Sequence, residues 1–240
     1  MIHLNKEQYM KYFFLLISIM AQSFTVFGDE YIDPDTNVIY SFDPLGSTAE
    51  VKSGEFWAFE TDPEYYPGSP NAQGDVVILS KICVNGKDYI VNKIGNYAFV
   101  KMDKLMSVFI PSTVHTIGVE AFDGCINLWS LVMSEGLKLI DVGAFSGCIS
   151  LTRVSLPSGL ESIKFKAFNN CIQLTSIVIP SSVTDITPTP FQGCNMLSSI
   201  KVDEGNAVYD SRGNCNAIIK TAENKMVVGC KDTHIPLSNR

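Results

Sequence analysis

The chain has 240 residues, of which 46% are hydrophobic, and a formal net charge of -7 at pH 7. This length and apolar content are sufficient for a sizeable folded core, whereas the acidic balance provides no electrostatic footprint for nucleic acid or anionic lipid. The sequence holds three histidines and no familiar catalytic or cofactor-binding spacing, so it argues against an enzyme and predicts neither a metal nor a cofactor.

Residues 1–28 have the features of a secretory signal peptide. Two lysines precede an apolar run over residues 12–21, and a plausible cleavage site lies before Asp29, with Ala21 as a second choice. The apolar stretch is shorter than the roughly 20 residues that a membrane span requires. We therefore expect cleavage, and export to the medium or the cell surface with no membrane span after removal of the signal.

Residues 29–75 form an acidic, aromatic segment that we expect to fold as an N-terminal cap. The segment holds eleven acidic residues and a single lysine, but it also contains eight aromatic residues. Disordered segments are poor in aromatic residues. The composition therefore favours a folded cap with two or three strands, one of them at Val38–Phe42.

A unit of 23 residues recurs through residues 76–202. Each copy has a small residue followed by phenylalanine, with an isoleucine four positions before the small residue and a leucine seven positions after it. The pairs are Ala98-Phe99, Ala121-Phe122, Ala144-Phe145, Ala167-Phe168 and Pro190-Phe191; the isoleucines are Ile94, Ile117, Ile140, Ile163 and Ile186; the leucines are Leu105, Leu128, Leu151, Leu174 and Leu197. A fixed period of about 20–29 residues is typical of a leucine-rich solenoid, in which each repeat forms one coil.

Each coil is predicted to contain a short helical turn and a short strand. The isoleucine, alanine and phenylalanine share one face of a helical turn, and the Gly or Asn two positions after each phenylalanine favours the left-handed conformation that ends a helix. The pattern LxxIxI then predicts a half-buried strand, which a proline ends at Pro111, Pro157 and Pro180. The five strands over residues 105–202 should stack into one parallel sheet on the concave side.

The segment Ile110–Cys125, IPSTVHTIGVEAFDGC, resembles the BspA-type leucine-rich repeat. The resemblance implies an α/β repeat solenoid with a parallel concave sheet and short convex helical turns, flanked by a β-rich N-terminal cap and a C-terminal β insert. The chain departs from the commoner leucine-rich repeat because no asparagine ladder follows the strands. Proteins of this type are typically secreted or displayed on the cell surface, and several act in adhesion with varied ligands.

The cysteines are predicted to serve packing rather than metal binding. Four of them recur once per coil: Cys125, Cys148, Cys171 and Cys194. Met102 takes the same place in the first coil, which favours buried, reduced thiols. Cys215 and Cys230 lie outside the repeat and flank a predicted hairpin. They are expected either to form a disulfide with each other or to remain as two free thiols, and the sequence leaves both alternatives open.

Residues 203–240 depart from the repeat pattern. Val208–Ser211 and Cys215–Ile219 predict a β-hairpin, and Met226–Gly229 predicts a third strand. The tripeptide at His234–Pro236 has the form of the start of a further coil.

The candidate binding residues are those predicted to point outward from the concave strands, together with Trp129 beside them. They are Ser107, Phe109, Trp129, Ser130, Val132, Arg153, Ser155, Ser176, Val178 and Lys201. Interface energy concentrates in Trp, Tyr and Arg, with other aromatic residues enriched, so Arg153, Phe109 and Trp129 are expected to dominate the binding of a protein or glycan of a host. Strands favour β-branched and aromatic residues for packing reasons as well. A structural spacer or scaffold module with no specific ligand is therefore the alternative.

Overall fold

The computed structural model covers the repeat array and both of its flanks. It describes residues 30–52, 68–69 and 71–234 with their side chains, and residues 25–27, 55–58 and 63–66 as backbone. The predicted signal peptide, apart from residues 25–27, and its cleavage site lie outside the described residues, as does the chain from residue 235 onward.

The described residues consist mainly of short strands. The N-terminal part contains β1 (Thr25–Phe27), β2 (Glu30–Ile32), β3 (Ile39–Phe42), β4 (Thr48–Val51), β5 (Glu55–Ala58), β6 (Pro63–Tyr66), β7 (Gly74–Val77) and β8 (Lys81–Val84). The repeats contain β9 (Lys87–Ile94), β10 (Leu105–Ile110), β11 (Thr116–Ile117), β12 (Ser130–Met133), β13 (Leu139–Ile140), β14 (Ser162–Ile163), β15 (Ser176–Ile179), β16 (Asp185–Ile186) and β17 (Ser199–Val202). The C-terminal part contains β18 (Tyr209–Asp210), β19 (Ala217–Lys220) and β20 (Lys225–Gly229), with 3-10 turns at Arg212–Asn214 and Thr221–Glu223.

Two parallel ladders connect the coils, which we number 1 to 5 by their phenylalanines, Phe99 to Phe191. The leucine ladder consists of the strands that follow the repeat leucines: β10 pairs with β7 and β12, and β15 pairs with β17. The isoleucine ladder consists of β9, β11, β13, β14 and β16, which pair in that order. The antiparallel strands β1 to β4 extend the isoleucine ladder at its N-terminal end, because β4 pairs in parallel with β9.

The predicted helical turns are wrong, since the described residues contain no α-helix and the repeat isoleucines lie in strands. Two residues of each turn have left-handed backbone; in coil 2 they are Glu120, with φ of 49°, and Gly124, with φ of 72°. Their N–H groups, and that of Phe122 between them, each donate to a carbonyl of coil 3 at 2.8 Å. An α-helix would need these N–H groups for bonds within the turn, so the coil is held instead by its neighbour.

The predicted sheet of five strands is interrupted in coil 3. Its parallel direction is confirmed, but residues 151–156 form a single isolated bridge, between Arg153 and Ser176, in place of a strand. The leucine ladder therefore has two separate parts, β7-β10-β12 and β15-β17.

The repeat phenylalanines form a continuous stack inside the solenoid. Successive ring centroids from Phe99 to Phe191 are 4.9, 5.1, 5.3 and 5.6 Å apart, with interplanar angles between 8° and 17°. The first four rings have no exposed surface, and the repeat leucines and isoleucines are buried beside them. Each ring thus packs on the ring of the next coil, so a coil acquires its core only from its neighbours.

Each repeat cysteine donates its thiol to the phenylalanine carbonyl of the preceding coil. The Sγ atoms of Cys125, Cys148, Cys171 and Cys194 lie 3.0, 3.3, 3.2 and 3.1 Å from these oxygens. All seven cysteines are free thiols in the structure. Coil 1 is the first coil, so no repeat phenylalanine precedes it and no carbonyl group of this kind has to be satisfied. Met102 stands at the cysteine position there. The column therefore serves packing and weak hydrogen bonding.

Side chains complete the array at its C-terminal end. Tyr209 lies 23 residues after Ile186, and its hydroxyl accepts the Ile186 N–H at 2.9 Å. Asn206 Nδ2 donates to two carbonyls of the preceding coil, each at 2.9 Å. The antiparallel strands β18 to β20 follow, and Ile218 and Val228 from this sheet join the solenoid core.

Truncation of a repeat leucine should destabilise the fold strongly. Leu151 has no exposed surface, whereas its neighbour Thr152 is exposed. We expect Leu151→Ala to lower the free energy of unfolding by about 2–5 kcal/mol, because it removes buried apolar surface and leaves a cavity. Thr152→Ala should change it by at most about 0.5 kcal/mol. Denaturant unfolding monitored by circular dichroism measures both values, and equal midpoints for the two variants would contradict this assignment.

The repeat thiols should be unreactive until the protein unfolds. Burial raises the pKa of the Cys125 thiol to about 12 and that of Cys148 well above its usual value, so the reactive thiolate is scarce at about pH 8. We expect iodoacetamide to modify exposed Cys83 in the folded chain, and Cys125, Cys148 and Cys171 only after denaturation, as measured by peptide mass spectrometry. Cys194 is the exception that should react earlier, because its hydrogen bond with Cys171 lowers its pKa. Recovery of a disulfide-linked peptide joining Cys125 and Cys148 would show the packing assignment to be wrong.

Candidate functional site

Most of the predicted binding residues form a strip on the outward side of the leucine ladder. We call it the outer strip; its two columns are Ser107, Ser130, Arg153, Ser176 and Phe109, Val132, Ser155, Val178, Lys201. Strand register places Ser107 opposite Ser130 and Phe109 opposite Val132. All nine side chains are exposed or half-buried, while the residues that alternate with them are buried. Their role in binding stays a prediction.

The outer strip continues onto β7 through two residues that sequence reasoning missed. Asp75 lies opposite Ser107 and Val77 lies opposite Phe109, and the Ser107 hydroxyl donates to Asp75 Oδ1 at 2.5 Å. Asp75 and Ser107 are 32 residues apart, so the 23-residue period does not place them in one column. The available signal was the apolar alternation at Gly74–Val77.

Charge along the outer strip is unevenly distributed. A carboxylate, Asp75, stands at its N-terminal end, while cations stand in coil 3, at Arg153, and in coil 5, at Lys201. Serines and aliphatic side chains occupy the positions between them. The strip therefore offers hydrogen-bonding and apolar surface to a ligand, with positive charge towards its C-terminal half.

The outer strip is crossed by a gap in the leucine ladder, which we call the seam. Across it, β12 of coil 2 faces residues 151–156 of coil 3, and the structure shows no ladder pairing between these two described segments. The inward side chains along the seam, Leu131, Met133, Val154 and Leu156, are 7–9% exposed. Their counterparts in coils 1 and 4 are less exposed: Val108, Ile110, Ile177 and Ile179 have values of 0–2%. Solvent therefore reaches further into the core at the seam than in coils 1 and 4; at the C-terminal end of the ladder Val202 is 8% exposed.

Prolines lie at both junctions of coil 3, with coil 2 and with coil 4. Where the ladder is complete, the residue after the strand donates its N–H to the preceding coil: Ser134 does so at 3.0 Å and Asp203 at 2.9 Å. The corresponding residues on the two sides of coil 3 are Pro157 and Pro180, which have no N–H to donate. Pro111, which follows β10, also lacks an N–H, yet β10 still pairs with β7; a proline at this position therefore weakens the junction without being sufficient to open the ladder.

Trp129 lies beside the outer strip, in an open groove at the edge of the leucine ladder. This edge groove has a volume of about 690 Å³ and is lined by Gln73, Gly74, Asp103, Lys104, Met106, Asn127, Trp129 and Ser150. Trp129 is 45% and Met106 is 48% exposed. The lining comes from coils 1 to 3 and from residues 73 and 74 at the start of β7.

The other predicted chemistry falls outside this region. Cys215 and Cys230 are unbonded, with Sγ of Cys230 3.3 Å from the Asn216 carbonyl oxygen, and a disulfide between them stays a prediction. Among the described residues, no three His, Cys, Asp or Glu side chains converge on a metal-sized site. Within the same residues, no helix has the length and apolar character needed to cross a bilayer.

Comparison with known families identifies the repeat. Residues 88–212 match the BspA type leucine rich repeat region in six copies, which is more than half of the chain. The chain belongs to the BspA-type leucine-rich repeat family. The matched range includes the whole outer strip from Ser107 to Lys201, whereas Asp75 and Gln73 lie before it. A comparison with functionally curated proteins finds no match.

Solved structures of bacterial leucine-rich repeat proteins share this fold. The leucine rich repeat protein of T. pallidum, TpLRR, is 28% identical, with a TM-score of 0.58 over 71% of this chain and 71% of its own. A leucine-rich repeat protein of Bacteroides ovatus is 26% identical, with a TM-score of 0.54 over 76% of this chain and 46% of its own. The present BspA-type chain thus spans less than half of the Bacteroides protein. The pneumococcal vaccine antigen PcpA, at 18% identity and a TM-score of 0.56 over 88% of this chain and 58% of its own, shows the fold alone.

Backbone amides at the seam of this BspA-type array should exchange with solvent faster than their counterparts in paired strands. An intramolecular hydrogen bond is worth about 0.5–1.5 kcal/mol, so its absence should speed exchange roughly two- to tenfold. We expect this increase for residues 153–156 relative to Ser176–Ile179, in hydrogen exchange measured by mass spectrometry or NMR.

A substitution provides the matched control for the seam. Pro157→Ser introduces the residue that coil 2 carries at the same position, Ser134, and restores an N–H that can donate to coil 2. Exchange at residues 153–156 should then slow towards the rate of Ser176–Ile179. Equal rates at both segments in the unmodified chain would mean that the seam is closed in solution.

Proposed function

We propose that this chain is an exported BspA-type repeat protein, secreted or displayed on the cell surface, that binds a protein or glycan through its outer strip in an adhesive role. The observation that carries the proposal is the exposure of aliphatic side chains on the strands of the strip: Val132 is 38% and Val178 is 47% exposed. These residues lie between serines and cations, on a surface that the fold itself does not cover.

The composition of the outer strip suits recognition. Hot spots at interfaces favour arginine and aromatic residues surrounded by contacts that exclude water. Arg153 stands between serines of the flanking coils, and half-buried Phe109 lies opposite Val132. A repeat array is well suited to such recognition, because its stacked strands place equivalent side chains in a regular row.

Export is supported by the N-terminal segment of the sequence. Its basic start and apolar run over residues 1–28 are typical of a signal peptide. An extracellular location agrees with the usual location of the family, and it would expose the outer strip to large ligands.

The alternative is a spacer or scaffold module without a specific ligand. The continuous phenylalanine stack and the two ladders give a stiff body in either case. The two functions differ in what they require of the outer strip: a spacer tolerates any soluble side chain at Arg153 and Phe109, whereas a binding surface depends on them.

Alanine substitution on the outer strip tests the proposal. The exported chain is first screened against a glycan array and a panel of extracellular matrix proteins, and the affinity for the best ligand is measured by calorimetry. Arg153→Ala and Phe109→Ala are each expected to cost about 2 kcal/mol or more, or roughly 30-fold in affinity, as hot-spot residues do.

Lys138→Ala is the control, since it removes a positive charge from an exposed residue beside the isoleucine ladder. It should leave the affinity unchanged within about 0.5 kcal/mol. Losses below about 0.5 kcal/mol for both outer-strip variants would move the site off this face. The absence of any ligand in the screen would favour the spacer.

A further inference from the structure

The edge groove combines an apolar platform with a polar rim. Its platform consists of Met106 and Trp129, which occupy the same position in coils 1 and 2; the backbone N–H of Trp129 donates to the Met106 carbonyl at 3.0 Å, so the two residues are adjacent. Both side chains are nearly half exposed. Large side chains of this kind are usually covered, and these two lie on an edge where they add nothing to the phenylalanine stack.

The rim of the groove carries neutral hydrogen-bonding groups on both sides of this platform. Asn127 Nδ2 donates to the Asp103 carbonyl at 2.7 Å, and the Ser150 hydroxyl donates to the Ile126 carbonyl at 2.7 Å. These bonds fix the two side chains, while an amide retains a second N–H and an acceptor oxygen, and a hydroxyl retains its lone pairs. Gln73 adds a second amide to the lining of the groove.

We propose that the edge groove is a carbohydrate-binding site, in which a sugar ring of a neutral oligosaccharide stacks on the Trp129 indole while Asn127 and Gln73 hydrogen-bond to its hydroxyl groups. A pyranose ring has an apolar face of C–H bonds and a rim of hydroxyls, each both donor and acceptor. The groove has the matching arrangement, with indole and thioether surface in the middle and amides and a hydroxyl at the sides.

Charge and size agree with a neutral ligand of several sugar units. The charged side chains of the lining, Asp103 and Lys104, have opposite signs and come from adjacent positions, so the groove has no net preference for an anion or a cation. Its volume of about 690 Å³ lies within the range of roughly 300–1,000 Å³ that is usual for ligand sites. The open edge allows a chain longer than one ring to continue beyond the groove.

A protein ligand fits this groove less well than a sugar does. Protein hot spots lie in pockets that become fully desolvated, whereas the lining here is exposed along its length and rich in amide groups that need polar partners. The inference rests on the proposed function in one respect, that the chain is a binding protein; it adds a second site, the edge groove beside the outer strip, and names the ligand class of that site.

Tryptophan fluorescence provides a direct test, because the chain has two tryptophans, Trp57 and Trp129. In the exported chain carrying Trp57→Phe, emission reports on the edge groove alone. Chitotriose, maltotriose, cellotriose and the acidic 3'-sialyllactose are titrated, together with hits from an array of neutral oligosaccharides. We expect a saturable change with at least one neutral oligosaccharide, and a loss of affinity of about tenfold or more in Asn127→Ala.

Matched variants separate this site from the outer strip. Calorimetry with the same oligosaccharide should show a similar loss for Trp129→Ala, and no change beyond about twofold for Arg153→Ala or Val178→Ala, with unfolding midpoints confirming that all variants are folded. The inference is overturned if no neutral oligosaccharide binds, or if binding survives both Trp129→Ala and Asn127→Ala. Binding of the neutral oligosaccharide that depends on Arg153 but not on Trp129 would likewise overturn it, while supporting the outer strip as the site of that sugar.

Discussion

Hydrogen bonding between neighbouring coils is the constraint on which the rest of this structure depends. In the turns of coils 1 to 3 the left-handed residues and the phenylalanine between them donate their N–H groups to the next coil, as Glu120, Phe122 and Gly124 do to coil 3. A single coil would leave these groups unpaired, at a cost of about 1–3 kcal/mol for each group that is buried. Stability therefore resides in the junctions. The strict spacing of 23 residues follows, because one inserted residue would misalign the turn bonds, the phenylalanine stack and the thiol donors together.

The periodicity was sufficient to predict the columns and the parallel ladder, but it could not predict the conformation of the turn. Isoleucine, alanine and phenylalanine at i, i+4 and i+5 fit one face of a helix, and they fit equally well a turn that directs the same three side chains inward. What decides between these structures is the left-handed position two residues before each phenylalanine. It is occupied by Tyr97, Glu120, Gly143, Lys166 and Thr189. Since four of these five residue types do not favour positive φ, the sequence carries little signal for it.

The candidate site was predictable only where it follows the repeat. Strand alternation correctly predicts that Ser107, Val132 and Val178 face outward, since adjacent positions on a strand point to opposite sides. Asp75 escaped prediction because the connection before coil 1 is longer than one period. Of the edge groove only Trp129 was predicted, because the groove is completed by residues 73 and 74, which lie before the repeats. The seam escaped because a proline follows the strands of coils 1, 3 and 4 alike, at Pro111, Pro157 and Pro180, while β10 still pairs with β7.

The seam joins the stability of the array to the place where recognition is proposed. At the junction of coils 2 and 3 the isoleucine ladder is intact, through β11 and β13, and the turn bonds are complete, so the coils remain attached along one side. The leucine ladder is open on the other side, where Val132 and Arg153 stand on opposite edges of the gap. Local opening is easiest where few backbone bonds must break. The array can therefore adjust the spacing of its outer strip at this junction without losing its core, because the phenylalanine stack continues unbroken beneath it.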